Sequence, residues 1–406
     1  MKSTLKLVVF LFSVCAAVHG QVGPAATAGP AYLKYSLRYA QTADYYGGSL
    51  GDQQQAIASG SLEYANGIGR LPFTMTYGGG YNWNISGRSY GNGFFENLLL
   101  SQGIVGRVWR VSLSDSAGYR KQSPTTGFSG IPGTGEPIGG PNPAPPTSQS
   151  VLTVNTTTVD NIVTGVIGRQ VGYATTFSAG GGSELMRYLD GNGIDTDSQS
   201  ANVGLSRRIG ARSSVLSRYS FNRFTFGGSP AVFETDTVVA GYQRRWNRSL
   251  DTSVSAGPYW ITSNETMIVP TSVGVSANAS AGYQLRFGSA GLACSHGING
   301  GGGYYVGAKS DTVTANYMRK FGTKMTFELT GGYQRTSGLI QNGTTSGKYG
   351  AVQFSRQITR DLSAFASYSG TSQTTSSTLP TNALSGLMQV ISFGIAYSPR
   401  EIEFRR

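Results

Sequence analysis

The residues that could carry out chemistry are few in this chain of 406 amino acids. The first twenty residues contain one of the two histidines and one of the two cysteines, and because we predict below that they are removed, His296 and Cys294 remain in the mature protein. Ser295 beside His296 could indicate a membrane hydrolase, but adjacent residues of a strand point to opposite faces, which argues against a nucleophile and base pair. One histidine and one cysteine are also too few for a zinc site. We therefore predict no catalytic, metal-binding or cofactor-binding residue and no enzyme.

Charge is the chemistry that remains. Without Lys2 and Lys6, which leave with the signal, 30 Lys and Arg face 20 Asp and Glu, a formal charge of +10. One set of charged residues lies within segments in which polar and apolar residues alternate, on the face opposite the apolar one: Lys34, Arg38, Glu63, Arg218 and Glu328. A second set lies at or beside short turns: Arg207, Arg208, Arg244, Arg245, Arg286, Arg319 and Arg356. A positive excess could bind nucleic acid, but an exported chain seldom meets any, so we expect no nucleic-acid partner.

The first twenty residues predict export. Lys2 and Lys6 flank the start of an apolar run at 7–14, and Val18 and Gly20 fit the −3 and −1 positions of a cleavage site. The run is shorter than the roughly 20 residues that a membrane-spanning helix needs. We predict a secretory signal peptide at 1–20 that is cleaved before Gln21, and a single domain at 21–406.

The elements that carry these charges alternate with period two. In residues 272–287, SVGVSANASAGYQLRF, apolar residues occupy every second position from Val273 to Phe287. This pattern predicts a strand with one apolar and one polar face. Its sixteen residues exceed the ~5 to 6 that are usual in soluble sheets and suit a tilted membrane strand. Pro258 interrupts a similar segment, so we expect a bulge or a strand end there.

Short turns and longer polar loops alternate along the chain. Basic segments such as SRRIGARSS at 206–214 and RKFGTKM at 319–325 recur about every 33 to 41 residues, and VIGRQ at 166–170 is a fainter copy. One period therefore predicts a hairpin of two long strands. The predicted strands are 31–46, 54–65, 72–86, 94–106, 109–121, 151–166, 169–185, 198–208, 212–226, 234–246, 249–263, 271–287, 290–304, 309–320, 324–337, 346–357, 361–373 and 387–398.

Eighteen strands, an even number, place both chain ends and all short turns on one side and the long loops on the other. A sheet that faces lipid cannot leave backbone groups unpaired at its edges, so it must close on itself. A soluble sandwich would need a second layer and usually has shorter strands. We predict an all-β fold, a transmembrane antiparallel up-and-down β-barrel of about 18 strands. Sixteen strands is the alternative, because the pairs around 94–121 and 151–185 are the least regular.

With these strands and turns the chain resembles bacterial outer-membrane β-barrels of the porin-like kind. Its last strand, VISFGIAYSPR at 390–400, looks like their assembly signal. Because EIEFRR follows, both Tyr397 and Phe404 are candidates for the recognised aromatic residue. The resemblance implies the bacterial outer membrane as the location. It also implies outer-membrane lipid, the barrel-assembly machinery and small solutes as partners, and a homo-oligomer stays open.

The two sets of charges acquire roles in such a barrel. A Lys or Arg facing lipid at mid-membrane costs roughly 2 to 4 kcal/mol, so the set that contains Lys34 and Arg38 should face the lumen. The turn arginines should form a basic periplasmic rim. That rim would either anchor the barrel beside Trp246, Phe287 and Phe321 or draw anions to the inner mouth. Barrels of sixteen to eighteen strands hold water, so we expect passive diffusion of small polar solutes with a weak anion preference.

Two connections, at 122–150 and 300–303, carry further predictions. In porins the third extracellular loop folds inward, and the resemblance implies that residues 122–150 could do the same; this predicted surface loop holds seven prolines and one acidic residue, Glu136. The glycine run at 300–303 is expected to ease a strand end. The competing hypothesis is a structural or adhesive barrel, with its lumen filled by side chains and with surface loops that bind a partner.

Overall fold

The computed structural model describes residues 31–46, 53–67, 69–87, 92–121, 156–191, 193–267, 269–339, 343–376 and 385–404. The predicted signal peptide at 1–20 and the predicted loop at 122–150 lie outside the described residues. The domain boundaries therefore stay predictions. No helix in the described part of the chain is long and apolar enough to cross a membrane.

The described residues form nineteen strands in one sheet. They are β1 Ala31–Tyr46, β2 Gln53–Asn66, β3 Phe73–Gly87, β4 Gly93–Val105, β5 Trp109–Lys121, β6 Thr157–Val171, β7 Thr175–Tyr188, β8 Thr196–Arg208, β9 Ser213–Phe226, β10 Val232–Arg245, β11 Leu250–Ser263, β12 Ser272–Leu285, β13 Gly288–Asn299, β14 Ala308–Phe321, β15 Met325–Gly338, β16 Thr344–Gln357, β17 Leu362–Thr375, β18 Gly386–Tyr397 and β19 Ile402–Phe404.

Each strand from β1 to β18 pairs with the next one antiparallel, and β1 also pairs with β18, so the sheet closes. The closing seam runs from Leu37 opposite Tyr397 to Tyr46 opposite Met388. The short strand β19 continues this seam, with Phe404 opposite Ala31. The predicted barrel is confirmed with eighteen long strands, and the sixteen-strand alternative is wrong.

The alternation of the sequence becomes the two faces of the barrel wall. Val273 and Val275 are 68% and 58% exposed on the outer face, as is Leu37 at 57%. On the same β1 strand, Thr42 and Asp44 point inward and are buried. A closed sheet leaves no row of unpaired backbone groups, which is the condition for β-structure in hydrocarbon.

The boundaries of β6 and β7 differ from those predicted. The segment 166–170 does not form a turn, because β6 continues to Val171 and the turn falls at 172–174. Gly172 has φ +74°, a backbone conformation that favours glycine, whereas Gly168 lies inside the strand opposite Ser178. Residues 166–170 have the basic, glycine-containing composition of the other short turns, but their backbone has the conformation of a strand.

The predicted strand 290–304 is too long, because β13 ends at Asn299. Gly301, Gly302 and Gly303 have φ of 86°, 64° and 82°, which lie outside the β region and stop the strand. Residues 300–307 instead form a loop, which we call the lumen loop because of its contacts described below.

The prediction of a bulge or a strand end at Pro258 is wrong. β11 continues to Ser263, and Pro258 lies opposite Val275 of β12 in an uninterrupted register. The pairing with β10 skips Gly257 and Pro258 and then resumes in the same register. A proline removes a hydrogen-bond donor from the ladder without inserting a residue, so the ladder is interrupted while the strand remains straight in register.

Candidate functional site

The barrel interior is the candidate site, and all five residues predicted to face it lie on the inner face: Lys34 and Arg38 on β1, Glu63 on β2, Arg218 on β9 and Glu328 on β15. The chain neighbours Leu37, Tyr219 and Leu329 are exposed on the opposite, outer face. Each of the five charged side chains therefore lies on the face opposite its apolar or aromatic neighbours. Their contribution to solute passage stays a prediction.

The inner-face charges near the seam contact aromatic side chains. Lys34 lies opposite Glu63 in the ladder, and the Tyr32 hydroxyl donates a hydrogen bond of 2.8 Å to the Glu63 carboxylate. The Arg38 guanidinium carbon lies 3.8 Å from the centroid of the Phe365 ring, which is buried on the inner face of β17. This cation–π contact holds the arginine against the wall.

An ion pair that the sequence did not reveal lies on the inner face near the long loops. The Arg120 guanidinium of β5 is 3.5 Å from the Asp160 carboxylate of β6, and both side chains are about nine-tenths buried. Alternation could have found Arg120, because it follows Tyr119, which is 38% exposed on the outer face. Alternation does not place Asp160 as clearly, because the inward positions of its strand also hold the apolar residues Ile162 and Val166.

A second polar group on the inner face joins β1, β2 and β3. The buried carboxylate of Asp44 accepts hydrogen bonds from the amides of Gln53 at 2.9 Å and Gln55 at 2.8 Å. Gln55 in turn accepts a hydrogen bond from the Asn82 amide. Buried polar groups are stable when they are hydrogen-bonded in this way, so the polar character of the inner wall is compatible with a folded barrel.

The lumen loop, residues 300–307, enters the barrel and crosses its interior. Its ends belong to β13 and β14, yet the Tyr188 hydroxyl of β7 donates a 3.1 Å hydrogen bond to the Gly302 carbonyl. The Ile194 backbone N–H donates a 2.6 Å hydrogen bond to the Gly303 carbonyl. β7 lies six strands from β13 in the sheet, so these contacts require the loop to reach across the lumen.

Two tyrosines of the lumen loop contact two different parts of the wall: the Tyr304 ring packs against Tyr188 of β7, with the ring centroids 5.8 Å apart, and Tyr305 reaches β16. Tyr304 and Tyr305 are 4% and 0% exposed, and the Tyr305 hydroxyl lies 2.8 Å from the Thr345 hydroxyl of β16. Burial raises the pKa of the Tyr305 hydroxyl, although its hydrogen bond with Thr345 opposes this. A Cβ at Gly303 would overlap the Tyr188 hydroxyl, so glycine permits the close approach.

The lumen loop lies beside an apolar cluster on the inner face, at the end of the barrel that carries the long loops. Its inner-face members are Phe224, Phe226, Phe233, Tyr259 and Ile261, and they are joined by Val269 of the connection after β11 and by Ile298 near the end of β13. Ile194, Val306 and Leu339, from three different connections, pack against it. Apolar inner-face residues are therefore covered by loop residues at this end. This apolar cluster is not among the predicted sites, although Phe224 and Phe226 occupy inward positions of β9 and indicate it.

The seven predicted rim arginines are all exposed at the end with the short turns, but they do not share one direction. By strand register the outer-face members are Arg207, Arg244, Arg319 and Arg356. Arg208 and Arg245 lie on the inner face, and Arg286 follows the end of β12. The guanidinium of Arg244 lies 4.1 Å from the Trp246 ring centroid, and Arg319 lies 5.2 Å from that of Phe321.

The inner strand faces of the described residues are nearly balanced in charge. By register the basic residues are Lys34, Arg38, Arg110, Arg120, Arg208, Arg218, Arg245 and Lys320. The acidic residues are Asp44, Glu63, Asp160, Glu184, Asp251, Glu328 and Glu403. Eight against seven is an excess of one, so most of the positive excess of the described residues lies on the turns and the outer face.

His296 lies on the outer face and Ser295 on the inner face, as the alternation predicts. The histidine Nδ1 is 2.6 Å from the Asp311 carboxylate, and Cys294, two residues away, is a free thiol. Among the described residues no three His, Cys, Asp or Glu side chains are grouped so as to hold a metal ion.

Comparison with known proteins finds distant structural similarity only. No protein-family model and no curated protein matches the chain. OccAB4 of Acinetobacter baumannii is 9% identical, with a TM-score of 0.48, and the alignment covers 94% of this chain and 100% of that one. OccK2 (OpdF) of Pseudomonas aeruginosa, solved in complex with glucuronate, is 10% identical, with a TM-score of 0.48 and coverage of 91% and 99%. These similarities are too remote to assign a family or a solute to this chain.

Proposed function

We propose that this protein is a channel of the bacterial outer membrane through which small polar solutes diffuse passively. The observation that carries the proposal is the closed barrel of eighteen long strands with an apolar outer and a largely polar inner face. Barrels of sixteen to eighteen strands enclose an aqueous channel, whereas barrels of about eight are filled by side chains.

The outer surface supports placement in a bilayer. Strands of fourteen residues, such as β9 and β14, cover roughly 35 Å when they are tilted by about 40°, enough for an apolar band of about 25 Å and its two interfaces. Aromatic residues flank this band: Trp109, Trp246 and Phe321 at the short turns, and Phe94, Tyr119 and Trp260 toward the long loops. Amphipathic rings of this kind favour the membrane interface.

The lumen loop narrows the proposed channel at the end that carries the long loops. The loop crosses from β13 to β7 and is fixed by three hydrogen bonds to the wall and to the connection after β7. Solutes would therefore pass beside it and along the polar wall that contains Arg38, Arg120 and Asp160. The near balance of inner-face charge argues for a weak ion selectivity, with any anion preference arising from Arg208 and Arg245 at the inner mouth.

The cellular setting follows from the same proposal. The exported chain would reach the outer membrane through its signal peptide at 1–20 and would be inserted by the barrel-assembly machinery. In the closed seam both Tyr397 and Phe404 lie beside β1. The recognised aromatic residue is therefore proposed to be one of these two, and replacing each singly in an assembly assay would identify it.

The test is a conductance measurement on the purified mature protein in planar lipid bilayers. We expect discrete current steps and, in a salt gradient, a reversal potential displaced only slightly toward that of the anion. Folding is checked separately by β-type circular dichroism and by slower gel migration after heating. Correctly folded protein that gives no current steps would contradict the proposal.

A second candidate function is a barrel with a filled lumen whose surface loops bind a partner. The packed cluster around Phe233 and the buried lumen loop favour it, because both occupy interior space with side chains. Two measurements separate the two functions. A filled barrel would remain silent in bilayers and would not let sugars enter proteoliposomes, whereas a channel would pass both ions and sugars.

A further inference from the structure

Basic side chains collect on the outer face of β14 to β16, near the ends that carry the long loops. Lys309, Arg335 and Lys348 are exposed there, and their register places them close together. Arg335 lies opposite Asp311 on one side and Ser346 on the other, and Lys348 is two residues beyond Ser346. Such diagonal positions are roughly 7 to 8 Å apart, so one ligand can contact more than one cation.

The acidic residue of this cluster already has a partner. The Asp311 carboxylate lies 2.6 Å from Nδ1 of the His296 ring. Lys309, Arg335 and Lys348 form no ion pair with another described residue. The cluster therefore has an excess of two positive charges, three Lys and Arg against one Asp, even with His296 neutral.

Other outer-face arginines at this end of the barrel are matched by acids. Arg187 pairs with Asp195 at 3.8 Å and with Asp197 at 2.7 Å, and Arg223 pairs with Glu234 at 3.8 Å. Among the described residues, the unmatched positive charge at the long-loop end is therefore concentrated on β14 to β16. Unmatched cations at the level of lipid headgroups attract anionic lipid.

A shallow groove begins directly below this cluster. It has a volume of about 450 Å³, and Lys348 forms part of its lining. Its other outer-face lining residues are Leu329, Gly350, Val352, Tyr368, Gly370, Ser372 and Leu387. Gly350 lies opposite Gly331 and Gly370, and a Cβ at Gly350 would meet nothing within 4 Å. Glycine thus leaves the floor open while leucine and tyrosine side chains form the walls.

We propose that this face of the barrel, from β14 to β18, is a binding site for a phosphate-bearing lipid of the outer leaflet. The phosphate would lie among Lys309, Arg335 and Lys348, and an acyl chain would lie in the groove over Gly350. The row from Ala315 to Gln389 through the glycines crosses five strands, or roughly 19 Å at the usual strand spacing. The inference depends on the membrane placement of the barrel and not on conduction.

The charge of the site and its position on the outer face both favour an anionic lipid over a water-soluble ligand. The groove opens on the surface that faces hydrocarbon, so a water-soluble ligand cannot fill it. Lysine side chains reach upward from the apolar belt to the headgroup level, which suits Lys348, four residues below the end of β16 at Thr344. Arginine binds phosphate with two parallel hydrogen bonds, which suits Arg335.

The test measures lipid retention by native mass spectrometry of the full mature protein, released from detergent with added lipid A. Lipid A is the probe because its phosphates give it a net negative charge and because it also carries acyl chains. Phosphatidylcholine, whose headgroup has no net charge, is the reference lipid. We expect one retained lipid A per barrel and little retained phosphatidylcholine.

Two variants and a matched control for each separate the phosphate half of the site from the acyl-chain half. Replacing Lys309, Arg335 and Lys348 by Gln should weaken lipid A binding about a hundredfold, because each cation near an anionic headgroup contributes about fivefold. The matched control is the same triple change at Arg207, Arg244 and Arg356, which lie on the outer face at the opposite end. Gly350→Leu should fill the groove and weaken binding, whereas Gly165→Leu on the outer face of β6 should not.

Two outcomes would overturn the inference. The first is equal retention by the parent and the triple variant, with folding of both verified by heat-modified gel migration. The second is a mass of two chains that disappears in the Gly350→Leu variant, because the groove would then be an interface between copies. Conductance recorded in parallel should not change in either variant, so a failed channel function would be recognised separately.

Discussion

The inner wall of the barrel differs between its two ends. Near the short turns it carries charged residues such as Lys34, Glu63 and Glu328. Near the long loops, on β9 to β11, inward positions hold Phe224 and Phe233, which are 2% and 0% exposed. The first end obeys the simple rule of polar residues inside and apolar residues outside. The second end breaks it on β9 to β11, whereas β1, β5 and β6 keep polar residues such as Asp44, Arg120 and Asp160 inside at that end.

The difference shows that a loop folded onto the wall changes which side chains, polar or apolar, are stable on the inner face. Where the wall faces water, an apolar side chain would be exposed, and where a loop folds onto the wall it is buried. In β9 the inward residues change from Arg218 and Asn222 to Phe224 and Phe226 along a single strand. That change marks the level at which the cluster and the lumen loop begin.

Removing the lumen loop should have the largest effect on this difference. In a variant with residues 301–306 replaced by two residues, Asn-Gly, nothing would cross from β13 to β7. We expect at least a doubling of single-channel conductance, because the narrowest part of a channel dominates its resistance. An unchanged conductance, measured in the same bilayers as the parent, would mean that the loop does not limit passage.

The free energy of unfolding tests whether the apolar cluster around Phe233 is a packed core. Phe233→Ala removes a fully buried ring that stacks on Phe224 at 4.7 Å and on Phe226 at 5.8 Å between ring centroids. We expect a loss of about 3 to 5 kcal/mol in the free energy of unfolding, measured by urea titration in lipid vesicles. Phe354→Ala is the control, because that ring is 39% exposed on the outer face. Equal losses for both variants would argue against a packed core inside the barrel.

The smallest effect is expected at the short-turn end. Arg245→Ala removes an inner-face cation and should shift the reversal potential in a salt gradient slightly toward that of the cation. Arg244→Ala, one residue away on the outer face, should leave ion selectivity unchanged and loosen the contact with Trp246. That cation–π contact contributes roughly 0.5 to 1 kcal/mol at an exposed site. The opposite pattern of selectivity would contradict the assigned faces.

The sequence predicted fifteen of the eighteen strands to within two residues at both ends. The exceptions are β6, β7 and β13. At β6 a basic, glycine-containing segment had the composition of a turn but the conformation of a strand. At β13 the glycines at 301–303 leave the β region, which composition does not disclose because glycine is compatible with both. The ion pair of Arg120 and Asp160 could not be predicted either, because it depends on the register between two strands.

The sequence alone determined the all-β fold, the closed barrel and the face on which Lys34, Arg38, Glu63, Arg218 and Glu328 lie. It could do so because side chains alternate strictly along a strand and because lipid demands opposite polarity on the two faces. Only the tertiary structure decided which loop crosses the lumen and which outer-face cations lie unmatched above a groove. These features bring together residues more than a hundred positions apart, such as Tyr188 and Gly302, or residues on neighbouring strands whose register is set by folding.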